Sequence, residues 1–322
     1  MATFDLRTGI GRKPDPLDYI TKQTGCRCAP ADTPHPLWDK FLDRVTNHNK
    51  ELQHVFVFAY GTGANGKSTF INTIADVLGD YATTAHVGTF LASNSEHHPT
   101  DLAKLRGARL VIAQETEKGR RWDETKIKAL TGGDKIAARF MRQDFFDFEP
   151  KFKLLISGNH KPRLSNVDEA IRRRLHLIPF TVTIPLEERD KNLFDKLKPE
   201  WPGILQWAVD GCLEWREIGL APPLAVTSAT DEYLADEDSI ARWIEECCNT
   251  GKHFWGIGTK LWTSWKAWTE ANKEWTGSRK SFGQSLKERG YTPAKSQHIR
   301  GYQGINLKAP NDPGSDGAGP SI

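Results

Sequence analysis

The chain has 322 residues, 38% of them hydrophobic, 10% aromatic and 26% charged, with a net charge of +3. That length and mix support one large domain or two ordinary ones with real cores, and exclude a chain that is disordered throughout. No stretch approaches the ~20 continuous apolar residues of a membrane span, and MATFDLRTGIGRKPDP lacks the apolar centre of a signal peptide, so a soluble, cytoplasmic protein with no membrane partner is expected.

In chain order, residues 1–36 are rich in Pro, Gly and Thr and read as an extended lead-in. PLWDKFLDRVTNHNKELQ carries Leu37, Phe41, Leu42 and Val45 at helical spacing, which predicts a short amphipathic helix within a lead-in segment over 1–53. The apolar run His54–Tyr60 predicts a strand, followed by a glycine-rich turn and a helix from about Lys67 to Leu78 that Gly79 ends. RLVIAQE, FKLLISGN and RLHLIPF read as three further strands, and Leu186–Ile218 as helix-rich. Strands separated by helical segments predict an α/β fold over 54–220, a parallel sheet with helices packed on it. LAPPLAV is a proline hinge, residues 221–309 form a small helix-rich module, and 310–322 has nothing to bury and is expected to be a disordered tail.

Residues 251–310 hold eleven Lys/Arg against three acids, whereas TDEYLADED before them is acidic. A basic module suits a phosphate-backbone partner, and a solvated basic surface explains the same count. Trp262, Trp265 and Trp268 recur at three-residue spacing and, with Trp255 and Trp275, read as core in preference to a base-stacking surface. Trp201, Trp207 and Trp215 receive the same reading. Five cysteines, with Cys26 and Cys28 one residue apart and Cys247 beside Cys248, have no zinc spacing and read as buried or idle thiols.

The candidate chemistry starts in Gly61-Thr62-Gly63-Ala64-Asn65-Gly66-Lys67-Ser68-Thr69, which spells a phosphate-binding loop between a strand and a helix. Its glycines let successive N–H groups point at phosphate oxygens, and the helix adds its positive end. In such a loop Lys67 reaches the β- and γ-phosphates and Ser68 ligates Mg²⁺. RLVIAQE ends in Glu115, expected beside the loop as the carboxylate that orients Mg²⁺ or activates water; Glu117 reads as a surface acid. Asn159 ends a buried strand and either holds the attacking water or makes a turn. In AIRRRLHLIPF one arginine suits a trans-acting stabiliser of the transferring phosphoryl group, and a salt-bridged helix end accounts for the others. GGDKIAARFMRQDFFDFEPKFKLL predicts a hairpin turning at Met141–Asp144. Arg139, Arg142, Lys151 and Lys153 are placed to meet phosphates and Phe145 or Phe146 a base, or else the phenylalanines are ordinary core.

Together GTGANGKSTF, RLVIAQE, LTGGDKIAARF, FEPKFKLLISGNHKP and AIRRRLHLIPF resemble the superfamily 3 helicases, within them the phage and plasmid primase-helicase type related to the poxvirus primase-helicase. The opening and closing segments are similar to those that flank the motor in that family. The resemblance implies an AAA+ ring, usually a homo-hexamer, that uses ATP and Mg²⁺ to move on DNA in replication initiation. It implies Gly61, Gly63, Ala64, Asn65, Gly66, Lys67, Ser68 and Thr69 as the ATP site, with Mg²⁺ on Ser68 and Glu115. Asn159 matches the polar sensor, Arg173 or Arg174 the arginine finger, and the hairpin the DNA grip, with Arg142 and Gln143 near its tip. The basic C-terminal block matches a winged-helix-like DNA-binding module. Two departures from the family stand out: no primase module is recognisable, so any primase is expected from another gene, and NKELQ runs almost directly into the first strand, where members carry helices that pack subunits. A non-unwinding DNA-binding protein and a P-loop kinase or packaging ATPase are the rival readings.

Overall fold

The computed structural model describes residues 2–46, 58–61, 63–93, 99–114, 120–165, 167–296 and 298–309. Two compact units result, Met1–Arg163 with Glu169–Glu232, and Leu164–Asp168 with Tyr233–Ile322.

The lead-in of the first unit is not uniformly extended. It opens on an antiparallel hairpin, β1 (Thr3–Asp5) and β2 (Ile10–Arg12), closed by the Asp5 carbonyl accepting from the N–H groups of Thr8 and Gly9. α1 (Pro36–Val45) starts with Pro36, whose missing N–H is one a first turn leaves unpaired anyway. Two of the remaining N–H groups, of Leu37 and Trp38, donate to the Glu200 carboxylate at 2.9 and 2.8 Å. The buried face is Trp38, Phe41, Leu42 and Val45, and Leu37 is only half-buried at its edge. Trp38 falls in the i, i+3, i+4, i+7 series with the other three, which is why it displaces Leu37 from the face the periodicity suggested.

β3 (Phe58–Tyr60) runs into the glycine-rich loop; the earlier part of the expected strand, 54–57, lies outside the described residues. α2 (Lys67–Leu78) ends where Gly79 takes φ +55 and donates its N–H to the carbonyls of Ala75 and Asp76. Then come β4 (Ala82–Thr84), α3 (Pro99–Ala103), β5 (Leu110–Gln114) and α4 (Glu124–Gly132). A hairpin of β6 (Ile136–Ala138) and β7 (Phe146–Phe148) leads into β8 (Lys153–Gly158). α5 (Glu169–Arg172), β9 (Leu177–Pro179), α6 (Leu193–Leu197) and α7 (Trp201–Ile218) follow.

β4, β5, β8, β3 and β9 form one sheet in that order, every neighbour parallel. β8 lies between β3 and β5, the strand that leads to Glu115. β5 and β8 are buried over most of their length, as strands of a parallel sheet covered on both faces are. Trp38, Phe41, Phe70, Ile71, Ile112, Leu155, Ile178 and Ile204 share one core cluster on α1, α2, α7 and the sheet. Burial of each such side chain contributes about 1.5–3 kcal/mol.

The units divide inside α8 (Leu224–Glu237). The second continues through α9 (Ser239–Cys247), β10 (Cys248–Ile257), α10 (Gly258–Ala271), α11 (Arg279–Glu288), β11 (Thr292–Ser296) and β12 (Ile299–Leu307). Its sheet is antiparallel in the order β10-β12-β11. Trp265 and Trp268 are buried with Phe282, Leu286 and Ile305, around Trp243, which is fully buried. Two tryptophans expected in cores are not there. Trp275 is 54% exposed because it follows the end of α10, and Trp215 is 49% exposed in the last turns of α7, whose buried residues stop at Val209. No helix among the described residues is long and apolar enough to cross a membrane.

Candidate nucleotide site and hairpin

The loop after β3 stands at the C-terminal edge of the sheet, the edge where open α/β sheets bind ligands. Gly63, Ala64 and Gly66 all take positive φ (+54, +54 and +84), so the backbone curls instead of extending. The underside of the curl is filled: a Cβ on Gly66 would lie 2.4 Å from Val45 Cγ1 and 3.0 Å from Phe41 Cε2, so α1 packs directly beneath it. Among the described residues, no group accepts from the N–H groups of Ala64, Asn65, Gly66, Ser68 or Thr69. Gly66 brings no side-chain cap to α2, which leaves the helix's positive end open.

Lys67 is 6% exposed. Its Nζ donates to the Gly61 carbonyl at 2.5 Å and to Asn65 Oδ1 at 3.1 Å, and no carboxylate pairs with it among the described residues. Burial holds its pKa below the usual lysine range. A buried ammonium with only neutral partners among the described residues, next to N–H groups that those residues leave unpaired, has the chemistry to accept an anion. Ser68 presents an exposed hydroxyl on the first turn of α2, with Thr69 half-buried beside it.

Asn159 follows β8 directly, and Gly158 pairs with Tyr60, so its exposed side chain is next to the strand that feeds the loop. Gln114 pairs with Ser157 at the end of β5. Glu115 and Glu117 lie outside the described residues. The two candidate arginines differ. Arg174 is half-buried, with Nη1 donating to the Ala170 carbonyl at 2.9 Å and Nε buried without a partner, whereas Arg173 is exposed and forms no ion pair among the described residues.

The hairpin turns at the expected place. Arg142 takes φ +59 and Gln143 donates its N–H to the Phe140 carbonyl at 3.1 Å. The phenylalanines divide: Phe148 is buried, Phe140 and Phe146 stack at 5.5 Å, and Phe145 is 60% exposed beneath the Arg139 guanidinium, 4.9 Å from its ring centre. Arg106, which lies outside every motif of the sequence, covers Phe146 at 4.9 Å. Arg142, Gln143, Lys151 and Lys153 are exposed. Lys153 begins β8, at the opposite end of that strand from Gly158, which pairs with Tyr60 just before the glycine-rich loop.

Three loop partners carry no sequence signal because they are backbone groups or distant apolar residues. They are the Phe180 carbonyl, the Ile184 N–H, which donates to Ala64 at 2.9 Å, and the Phe41–Val45 face beneath Gly66. Cys28 donates to Gln206 Oε1 at 3.0 Å, and both Cys26 and Cys28 pack on the core.

The fold is that of a mixed α/β protein with a five-stranded parallel sheet and a glycine-rich loop of positive-φ residues at its C-terminal edge. Residues 59–174 match a family described as "Family of unknown function (DUF5906)", and residues 2–47 match "D5 N terminal like". The chain is 26% identical over 313 residues to a "Putative helicase" of Acanthamoeba polyphaga mimivirus, covering 84% of this chain and 32% of that protein. It is 24% identical over 257 residues to a "Putative helicase" of Frog virus 3 (isolate Goorha), covering 72% of this chain and 26% of that protein. A "Putative helicase" of Invertebrate iridescent virus 6 is 30% identical over 146 residues, 41% of this chain and 15% of that protein. The chain thus spans about a third or less of these relatives. Among solved structures it is similar to the NrS-1 C terminal region in its apo form, with TM-score 0.49 and 10% identity over 94% of this chain and 82% of that one. All three viral relatives carry the name helicase.

Proposed function

We propose that this chain is the ATP-hydrolysing motor part of a superfamily 3 DNA helicase acting in replication initiation, with an AAA+ arrangement and a homo-hexameric ring as its working form. The observation that carries the reading is the buried, uncompensated Lys67 inside a loop of unused N–H groups. The relatives' name, helicase, supports the choice of this activity over the other uses of such loops.

In this reading the N–H groups of 64–66 and 68–69 hold the ATP phosphates, and Lys67 leaves the Gly61 carbonyl for the β- and γ-oxygens. Ser68 and Glu115 would hold Mg²⁺, which when bound neutralises charge on the phosphate oxygens. Asn159 orients the attacking water and Glu115 takes its proton. Arg173 of a neighbouring copy neutralises charge on the transferring group. The tip at Arg142 and Gln143, with exposed Phe145, grips a single strand by phosphate contact and stacking, and Arg139, Lys151 and Lys153 add charge.

The second unit suits a winged-helix-like DNA-binding module. Its order α9–β10–α10–α11–β11–β12 supports that, as does the pairing of Lys295 directly opposite Arg300 on the β11–β12 ribbon. Like charges in that position destabilise a bare ribbon and favour a polyanion across it.

The test is ATP hydrolysis with and without single-stranded DNA, together with strand displacement on a fork, comparing the chain with Lys67→Ala and with Lys67→Ala mixed with Arg173→Ala. DNA-stimulated turnover, lost in each variant and partly regained on mixing, is expected. DNA binding with no turnover in the intact chain would leave a binding protein and sink the helicase reading, and transfer to a small acceptor would make it a kinase.

A further inference from the structure

The phosphate loop is tied to the chain that leaves β9 by two bonds. Asn65 Nδ2 donates to the Phe180 carbonyl at 3.0 Å, and the Ile184 N–H donates to the Ala64 carbonyl at 2.9 Å. Asn65 is 3% exposed, and its other end accepts from Lys67 Nζ. The orientation of this amide is fixed by chemistry. A carbonyl only accepts, so the NH₂ group must face Phe180 and the oxygen must face Lys67. Gly61 makes room for the arrangement, since a Cβ there would lie 2.1 Å from the Phe180 carbonyl oxygen and 2.5 Å from Asn65 Nδ2. β9 itself begins three residues after Arg174.

We infer that Asn65 is a positioning residue that presents Lys67 to the phosphates and registers the loop against the end of β9. The inference rests on the nucleotide-hydrolysing reading above. Asn65 offers a donor and an acceptor on one short, planar stem, and each has a different obligatory partner. Aspartate has the same shape but fails at both ends. It sets an acceptor against the Phe180 carbonyl, and it gives Lys67 a carboxylate that competes with phosphate for the ammonium. Alanine removes both contacts and leaves the ammonium free to move. The isosteric change should therefore raise KM more than the deletion does, and beyond what any loss of melting temperature accounts for, which a purely structural role would not produce.

The experiment measures binding of a fluorescent ATP analogue and the kcat and KM of ATP hydrolysis for the intact chain, Asn65→Ala, Asn65→Asp, Asn65→Ser and Lys67→Ala, each with its melting temperature. Asn65→Ala is expected to raise KM about tenfold, Asn65→Asp about a hundredfold, and Asn65→Ser less than either, with melting close to that of the intact chain. If Asn65→Asp does not fold, the order of Asn65→Ser and Asn65→Ala still decides, because serine keeps one of the two contacts. Absence of nucleotide binding in the intact chain overturns the nucleotide reading itself. Binding in the intact chain with all Asn65 variants matching it, or losing kcat only in proportion to melting, overturns the role of Asn65 alone.

Discussion

Lys153 and Asn159 stand at the two ends of one strand: Lys153 opens β8 beside Leu110, and Asn159 follows Gly158, which pairs with Tyr60 just before the phosphate loop. At ~3.3 Å per residue the strand separates them by about 20 Å, and its last four residues, Leu155 to Gly158, are buried. Lys153 and Asn159, one a candidate DNA contact and the other a candidate for the chemistry, are therefore separate in space and joined by a packed element. Lys153→Ala with Lys151→Ala is expected to weaken single-stranded DNA binding and reduce its salt dependence by roughly one unit of slope per lost phosphate contact, with the KM for ATP unchanged. Asn159→Ala is expected to lower kcat on the order of a hundredfold with DNA affinity retained. Anisotropy of labelled DNA and steady-state hydrolysis check both, and equal loss of DNA affinity in the two variants would refute the separation.

Arg142 carries a side chain in the left-handed region at the tip of an exposed hairpin, a conformation that costs a non-glycine residue about 1–2 kcal/mol. Strain retained at an exposed tip marks a residue kept for its side chain. Arg142→Gly is expected to leave the melting temperature unchanged or slightly raised while DNA-stimulated hydrolysis falls severalfold and basal hydrolysis stays. A variant that binds and stimulates as well as the parent would assign the hairpin tip no role in DNA contact.

Much of this was legible in the sequence because it is written in local patterns. Lys67–Leu78 begins at a glycine-rich loop and ends at a glycine, and the structure gives those bounds. LVIAQ and KLLISG are apolar runs of strand length, and both are strands. What was not legible is the order of strands, which no local pattern encodes: nothing in the sequence places β8 between β3 and β5. Trp243 was passed over because attention fell on the tryptophans at three-residue spacing, yet a single residue with T-shaped contacts to Trp265 and Phe282 centres the second core. Contacts made by backbone groups, such as the Phe180 carbonyl, leave no residue-type signal.

Trp243 and Trp275 share a residue type and differ in burial, 0% against 54% exposed. Trp243→Ala is expected to cost about 3–5 kcal/mol in the second unit, and Trp275→Ala less than about 1 kcal/mol. Chemical denaturation followed by tryptophan fluorescence measures both. Similar losses would mean that Trp275 is covered in solution.

Two thiols make stability sensitive to alkaline pH. Burial pushes Cys26 to about 11 and Cys248 to about 12, each from an ordinary value of 9.0. Because the folded pKa values are raised, the unfolded chain gives up these protons first, and folding stability falls as pH rises from 9 towards 11 and 12. Below pH 9 neither group contributes a slope. Melting temperatures across pH 7 to 11 are expected to be flat and then to decline, with Cys248→Ala reducing the decline in the second unit. A decline unchanged by Cys248→Ala would assign it to other groups.

Arg173 and Arg174 are adjacent in sequence but not equivalent. Arg174 spends Nη1 on the Ala170 carbonyl and keeps Nε buried, so truncating it removes contacts within its own fold. Arg173 is exposed, and its backbone N–H bonds to Glu169 at 3.2 Å while the guanidinium is left to solvent. An arginine that serves a neighbouring site must extend away from its own chain, which singles out Arg173. Arg173→Ala is expected to abolish DNA-stimulated hydrolysis by a factor on the order of 10³ with melting unchanged, and to recover part of it when mixed with Lys67→Ala. Arg174→Ala is expected to lower the melting temperature and to lose activity only in proportion. If Arg173→Ala stays active and Arg174→Ala is silent at full stability, the roles are reversed, and Arg174 must swing out of its bond to Ala170 on assembly.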